Sequence, residues 1–118
     1  MNAINLAQKL TLFEDFWKPF IVAEVNDVQL KLVKLYGEFV WHHHENADEL
    51  FMVIKGRLQI KFRDGDVWLN EGECLVIPRG VEHCTAAEEE THVLLMEPKN
   101  TLNTGNVQNE RTVEAEWI

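Results

Sequence analysis

The chain has 118 residues, 46% apolar and 26% charged, which suits one globular domain with a core of its own. Its 20 acidic and 11 basic residues leave a formal net charge of −9, which argues against nucleic acid or an anionic membrane as partner. No apolar run approaches the ~20 residues that a bilayer span requires, so no membrane segment is expected.

The N-terminal residues, Met1 to Phe13, lack the basic stretch and long apolar run of a secretory signal, which points to the cytoplasm. Residues 4–10 can form a short helical turn with Leu6 and Leu10 on one face. Phe13, Phe16, Trp17 and Phe20 then gather around Pro19. Such an aromatic cluster needs a cover. Packing across a barrel wall or onto a second subunit supplies one, and a ligand cage is not expected. Residues 20–25 and 28–36 read as strands joined by a turn at Asn26-Asp27. In the second strand Leu30 and Leu32 share one face, and Lys31, Val33 and Leu35 share the other. Lys31 and Lys34 suggest a strand partly open to water. Gly37-Glu38 breaks the run.

Residues 38–44 read as the next strand. Alternate side chains on a strand face opposite ways, so His42 and His44 share a face, about 7 Å apart at Cα, while His43 points outward. Residues 45–48 form a polar tip. Glu49 opens the apolar run Leu50 to Ile54, and Glu49, Phe51 and Val53 line up on one side. A carboxylate at the head of an apolar row needs a partner, and a cation is a good one. Glu45 and Asp48 compete for that role, but a tip position is usually solvated. Lys55-Gly56 makes a tight turn. Residues 57–62 alternate with Leu58, Ile60 and Phe62 inward, and Asp64-Gly65 is a hairpin signal leading to residues 67–69.

After a turn at residues 70–73 comes the apolar run Cys74 to Ile77, then the turn signal Pro78-Arg79-Gly80. His83 follows at the start of another strand, with Cys84 pointing away from its face. Cys74 and Cys84 make no disulfide framework and are expected as two small buried core residues in a reducing compartment. Residues 86–90 are polar and acidic and read as a solvated loop. His92 to Met96 is a further strand, ended by Pro98, on which His92 is exposed or packed rather than a ligand. Residues 100–118 lack strong periodicity. Thr101 to Gly105 reads as an ordered loop and residues 112–118 as a final edge strand. This tail either gates the barrel mouth or covers a sheet edge. Short strands with such regular turn punctuation indicate an all-β sandwich or barrel.

His42, His44 and His83 with Glu49 make a mixed nitrogen and oxygen donor set. It suits divalent iron, manganese, nickel, copper, cobalt or zinc rather than calcium or a thiolate-bound metal. Four such ligands on a six-coordinate ion leave room for water or a bidentate substrate. Arg79 could orient an anion or simply be solvated. Glu38 could support the histidines or stand at an edge.

Gly37-x4-His42-x-His44-x4-Glu49-x6-Gly56 resembles the first motif of the cupin superfamily, with four residues instead of five before the first histidine. Gly72-x5-Pro78-x-Gly80-x2-His83 resembles the second, with Ala87 where the family often has an asparagine that is not a metal ligand. The resemblance covers residues 28–98. The whole chain is similar to small single-domain bacterial cupins grouped with mannose-6-phosphate isomerase-like proteins, a grouping of fold more than of activity. The resemblance implies an all-β double-stranded β-helix, the jelly-roll or cupin barrel, with a short N-terminal helical arm. It implies one domain over residues 1–118, with arm 1–27, barrel 28–98 and tail 99–118. It implies one divalent transition-metal ion on His42, His44, Glu49 and His83. Its menu of activities is metal-dependent oxygenase, isomerase or epimerase chemistry on a small oxygen-rich metabolite. The alternatives are a non-catalytic small-molecule-binding barrel and a structural metal site. Small cupins commonly dimerise, so a homodimer is expected. No extended basic patch serves a phosphate, which argues against phosphomannose isomerase activity.

Overall fold

The computed structural model describes residues 1–118. One short helix, α1 (Leu6–Leu10), precedes eight strands. These are β1 (Phe20–Val25), β2 (Val28–Glu38), β3 (Glu49–Lys55), β4 (Leu58–Phe62), β5 (Gly65–Leu69), β6 (Cys74–Ile77), β7 (His83–Pro98) and β8 (Glu116–Trp117). The strands follow the order β5-β4-β7-β2-β1-β8, and β3 joins β6 to β7. No helix is long and apolar enough to cross a membrane.

The 16-residue strand β7 is the spine. Its first half pairs with β4, with His83 opposite Phe62, and its second half pairs with β3, with Met96 opposite Leu50. Strand β2 follows its other edge, from Glu38 opposite Ala86 to Val28 opposite Pro98. The register slips between Leu35 and Gly37 on β2 and between Val53 and Lys55 on β3, both beside the middle of β7. That middle is the acidic run that polarity suggested was a solvated loop. Polarity described only the side chains, since Glu88, Glu89 and Glu90 face water while Ala86, Ala87 and Thr91 keep the backbone paired.

Alternation sorts the apolar side chains into two cores. Val33, Leu35, Phe51, Val53, Leu58, Ile60, Leu69, Ile77, Val93 and Leu95 fill the barrel interior. On the outer wall, Leu32 and Leu94 receive Leu10 of α1 and Phe13 of the arm, together with Phe20 and Val22. The aromatic cluster therefore divides. Phe13 packs on Phe20 with centroids 4.3 Å apart, Phe16 lies exposed against Tyr36, and Trp17 turns to the barrel mouth.

Lys31, Cys74 and the end of the tail depart from the sequence expectations. Lys31 does not open β2 to water; it is 1% exposed and its Nζ lies 2.8 Å from Glu97 Oε1. Cys74 is exposed, because its strand β6 pairs on one side only and the residue faces outward. Cys84 is buried as expected, and burial, reinforced by the nearby Glu38 carboxylate, pushes its thiol up to about 11. The edge strand expected over residues 112–118 contracts to Glu116–Trp117, parallel to Phe20 and Ile21 of β1.

The two thiols should behave differently. A thiol reagent at neutral pH is expected to label Cys74 within minutes and Cys84 only on unfolding, because a buried, protonated thiol is a poor nucleophile. Equal labelling of both in the native protein would contradict this burial. Gly56 makes a second prediction. It has φ +90°, and a Cβ there would lie 2.6 Å from Thr91 Oγ1 and 3.1 Å from the Glu90 carbonyl. Gly56→Ala should cost on the order of 2 kcal/mol in denaturant unfolding, the sum of backbone strain and a clash at the bend of β7. An unchanged midpoint would show that the bend tolerates a side chain.

Candidate metal centre

The end of the barrel is closed by a single pair of residues. His42 and His83 exchange both backbone hydrogen bonds, at 3.0 and 2.9 Å, so their side chains project from one face of an isolated bridge. Their ring centroids are 4.4 Å apart. No strand runs over residues 38–44; β2 ends at Glu38 and only His42 is bridged. The expected alternation nonetheless holds, with His42 and His44 buried and His43 turned outward against Glu45 at 3.5 Å. The His44 carbonyl accepts the Gly80 amide at 2.8 Å, which ties the histidine segment to the Pro78-Arg79-Gly80 turn.

The ring orientations are set locally. The Nδ1–H of His42 donates to the Val40 carbonyl and that of His83 to the Val81 carbonyl, each at 2.9 Å. A carbonyl only accepts, so Nδ1 carries the proton and Nε2 keeps its lone pair in both rings. Burial, then the charge of His83, lowers the His42 pKa to about 4, which keeps the ring neutral. Glu49 Oε1 lies 3.5 Å from His44 Nε2 and 3.6 Å from His83 Nε2. Burial alone would raise the Glu49 pKa, but the adjacent Glu97 carboxyl and the His44 and His83 rings outweigh it and hold the carboxyl well below its usual range.

Donor atoms of His42, His44 and His83 lie within 4.8 Å of one another, as do those of His44, Glu49 and Glu97. His44 Nε2, His83 Nε2 and Glu49 Oε1 are buried without a hydrogen-bond partner. Buried polar atoms are rarely left unpaired, and these converge with an imidazole and carboxylate chemistry that matches a borderline transition metal. The donor set therefore could hold a metal ion.

The other candidate residues lie elsewhere. Asp48 and Arg79 pair with each other at the surface at 3.3 Å. Glu38 is exposed and pairs with Lys61 at 3.2 Å. His92 pairs with Glu90 at 2.6 Å, outside the cluster.

Beside the cluster a cavity of about 40 Å³ is lined by Trp17, Phe39, Phe51, Leu95, Thr85 and Asn103, among others, with His42 and Glu49 at its wall. Trp17 stacks on Phe39 at 4.7 Å and 11°, and its Nε1–H donates to the Tyr36 carbonyl at 2.9 Å. It has φ +64°, a strained value for a bulky residue. A ligand-facing role for an aromatic residue of the arm was not expected; the chain before β1 carries Trp17 to the mouth through its backbone bond to the Lys34 carbonyl, 2.8 Å.

The tail crosses the same end. The Asn103 amide donates to the Trp17 and Arg111 carbonyls at 3.2 and 2.7 Å and accepts from the Val113 amide at 3.0 Å. Arg111 donates to the Glu38 carbonyl at 2.7 Å, over the rings of Trp17 and Phe39. Asn106 brackets the His43 backbone, with its carboxamide oxygen accepting the His43 amide at 2.9 Å and its own amide donating to the His43 carbonyl at 3.1 Å. Of the two roles foreseen for the tail, residues 103–113 lie across the mouth while residues 116–118 cover the edge at β1.

Sequence reasoning missed Lys31 and Glu97. Each stands in an otherwise apolar inward row, Lys31 with Val33 and Leu35, Glu97 with Val93 and Leu95. Opposite charges set into two buried rows were the available signal. Burial and the Glu49 charge push the Glu97 pKa well above its usual range, against the pull of Lys31.

Residues 32–97 match the family described as the cupin domain. An uncharacterised Bacillus subtilis (strain 168) protein, YdbB, is 41% identical over 81 residues, covering 68% of this chain and 72% of that protein. A cupin-2 domain protein from Shewanella frigidimarina superposes with a TM-score of 0.80 at 51% identity, over 81% of this chain and 94% of that one. Protein NMB1881 from Neisseria meningitidis has a TM-score of 0.76 at 32% identity, over 83% of this chain and all, 100%, of that one. The jelly-roll barrel, the two motifs meeting at the His42–His83 bridge and these likenesses agree: the chain belongs to the cupin-domain family.

Proposed function

We propose that His42, His44, Glu49 and His83 hold one divalent transition-metal ion and that this centre is catalytic, with an oxygenase, isomerase or epimerase type of reaction on a small oxygen-bearing molecule. The observation that carries this reading is the convergence of three buried, unpartnered donor atoms, Nε2 of His44 and His83 and Oε1 of Glu49. A bound ion there would supply Lewis acidity or a redox-active coordination site. The carbonyls of Val40 and Val81 hold two rings in the tautomer that binding needs. His42 and Glu49 reach the cavity wall, so the centre is open on one side, as catalytic sites are and structural ones are not.

The cavity limits the substrate. No lysine or arginine lines it, so apart from the metal it has no cation to hold a phosphate or a free carboxylate. The Asn103 amide is already committed to three backbone groups, which leaves the Thr85 hydroxyl as a free polar side chain beside His42 and Glu49. Such walls suit a molecule that is largely neutral away from the metal and meets the metal through its own oxygen. At about 40 Å³ the space takes only a few atoms. A benzene-sized ligand needs roughly 150 Å³, so an organic substrate enters by displacing Trp17 and the tail above it. The sequence-based expectation of a homodimer belongs to this proposal too, through outward apolar residues such as Val76 and Met96.

Elemental analysis of untagged protein, purified without a nickel column or chelator, should give near one equivalent of iron, manganese, nickel, copper, cobalt or zinc. His83→Ala should lose that metal and turnover while circular dichroism stays native. Protein with no metal, and none taken up on addition, would overturn the four-ligand site. A fold that collapses on chelation would instead make the metal structural, since binding energy would then be folding energy.

Gly105 tests how closely the tail supports the ligands. A Cβ there would lie 2.2 Å from the His43 carbonyl oxygen and 3.0 Å from His42 Cδ2. Gly105→Ala should push the histidine segment and lower metal affinity about tenfold, the scale of a disturbed ligand support. Gly72→Ala is the control, because its Cβ would meet nothing within 4 Å although its φ is also positive, +82°. Equal affinities for the two variants would mean that the tail does not support the site.

A further inference from the structure

We propose that Lys31 and Glu97 act as a positioning pair for the metal-binding carboxylate of Glu49. The inference rests on the metal-site reading above and adds two residues outside both histidine motifs. Glu97 is 2% exposed and Lys31 1%. Lys31 Nζ meets Glu97 Oε1 at 2.8 Å and the Thr101 carbonyl at 3.3 Å. Glu97 Oε2 is buried and has no hydrogen-bond partner, and neither has Glu49 Oε1. A donor atom of Glu97 lies within 4.8 Å of donors on Glu49 and His44.

The sheet explains why these groups meet. Phe51 pairs with Leu95 and Leu50 with Met96, so one more step of the same register sets Glu49 across from Glu97. On the other side of β7, Lys31 pairs with Leu95, which makes Glu97 its diagonal neighbour on the same face. Three strands thus place ammonium, carboxyl and carboxylate in one row running toward the histidines.

Glu97 could serve as an extra ligand or as a support, and Lys31 decides between them. An ammonium already holds one oxygen of Glu97, and a second metal ion drawn to this carboxyl would meet that charge. A buried carboxyl gripped from behind is instead fixed in place. Its remaining oxygen then limits where the Glu49 carboxylate can lie, with Glu49 Oε1 facing His44 and His83 at 3.5 and 3.6 Å. Hydrogen-bonded supports behind metal-binding groups commonly set affinity by factors of ten to a hundred. Because Lys31 also holds Thr101, the same pair anchors the start of the tail.

The test is a cobalt(II) titration of the full-length, metal-free protein, read by the visible absorption of the bound ion, whose intensity and position report its coordination. Glu97→Gln keeps the shape and an oxygen for Lys31, and is expected to hold cobalt within about threefold of the parent. Lys31→Met combined with Glu97→Leu replaces the pair by apolar groups of similar size, a change that buried ion pairs often tolerate in folding. Its affinity should fall at least tenfold with an altered spectrum, although its circular dichroism stays native. Glu97→Asp, which retains the carboxyl but withdraws it by one methylene, should fall in the same direction. It serves as the deciding variant if the double replacement does not fold. Parent affinity and spectrum in the double variant, or in Glu97→Asp should the double not fold, would overturn the pair's role and leave the four-ligand site standing. A parent protein that takes up no cobalt would overturn both.

Discussion

Two backbone hydrogen bonds between His42 and His83 organise the functional end of this protein. They join the segment after β2 to the start of β7, two stretches far apart in the chain, and bring their imidazoles to 4.4 Å. Everything around the site serves this bridge. The His44 carbonyl is held by the Gly80 amide, and the His43 peptide is held from the other side by Asn106. The long strand β7 carries His83 at one end and Glu97 at the other, so the site is built along its inward face.

That arrangement is unfavourable for folding on its own. Unpaired polar atoms buried in a barrel cost roughly 1–3 kcal/mol each, and three of them point at one another here. Each element near them reduces motion. The rings are pinned by Val40 and Val81, Glu49 begins a strand, and the tail lies across the mouth. The interior offers these atoms mainly apolar neighbours such as Phe51 and Leu95. A metal cation would satisfy imidazole lone pairs and a carboxylate together. The walls beside them are mostly apolar and carry no lysine or arginine, so away from the metal-binding atoms a charged group would shed its water and find no cationic partner.

Several readings of the sequence described the right residues in the wrong setting, for a common reason. Lys31 reads as part of a strand open to water until Glu97 is seen to be its counter-ion, and their separation along the chain hides this. The acidic run at residues 86–90 looks like a loop because its glutamates are polar, yet the backbone beneath them belongs to β7. Cys74 looks like a core residue because small thiols usually are, but β6 lies at an edge. Trp17 looks like packing, whereas its position at the cavity depends on a bond to Lys34 and a left-handed backbone. The histidine alternation survived the absence of a strand because a single antiparallel bridge imposes the same facing as a ladder.

Strand periodicity, turn positions, the inward face of Glu49, Phe51 and Val53, and the residues able to donate to a metal are legible along the chain. These are local properties, set by alternation, by glycine and proline at turns, and by side-chain chemistry. That His83 meets His42, that Glu97 lies near Glu49, and that Trp17 and the tail lie over the mouth emerges from the folded barrel. Those facts depend on the register between strands distant in sequence. Register is settled by the packing of the whole barrel, and no local window contains it.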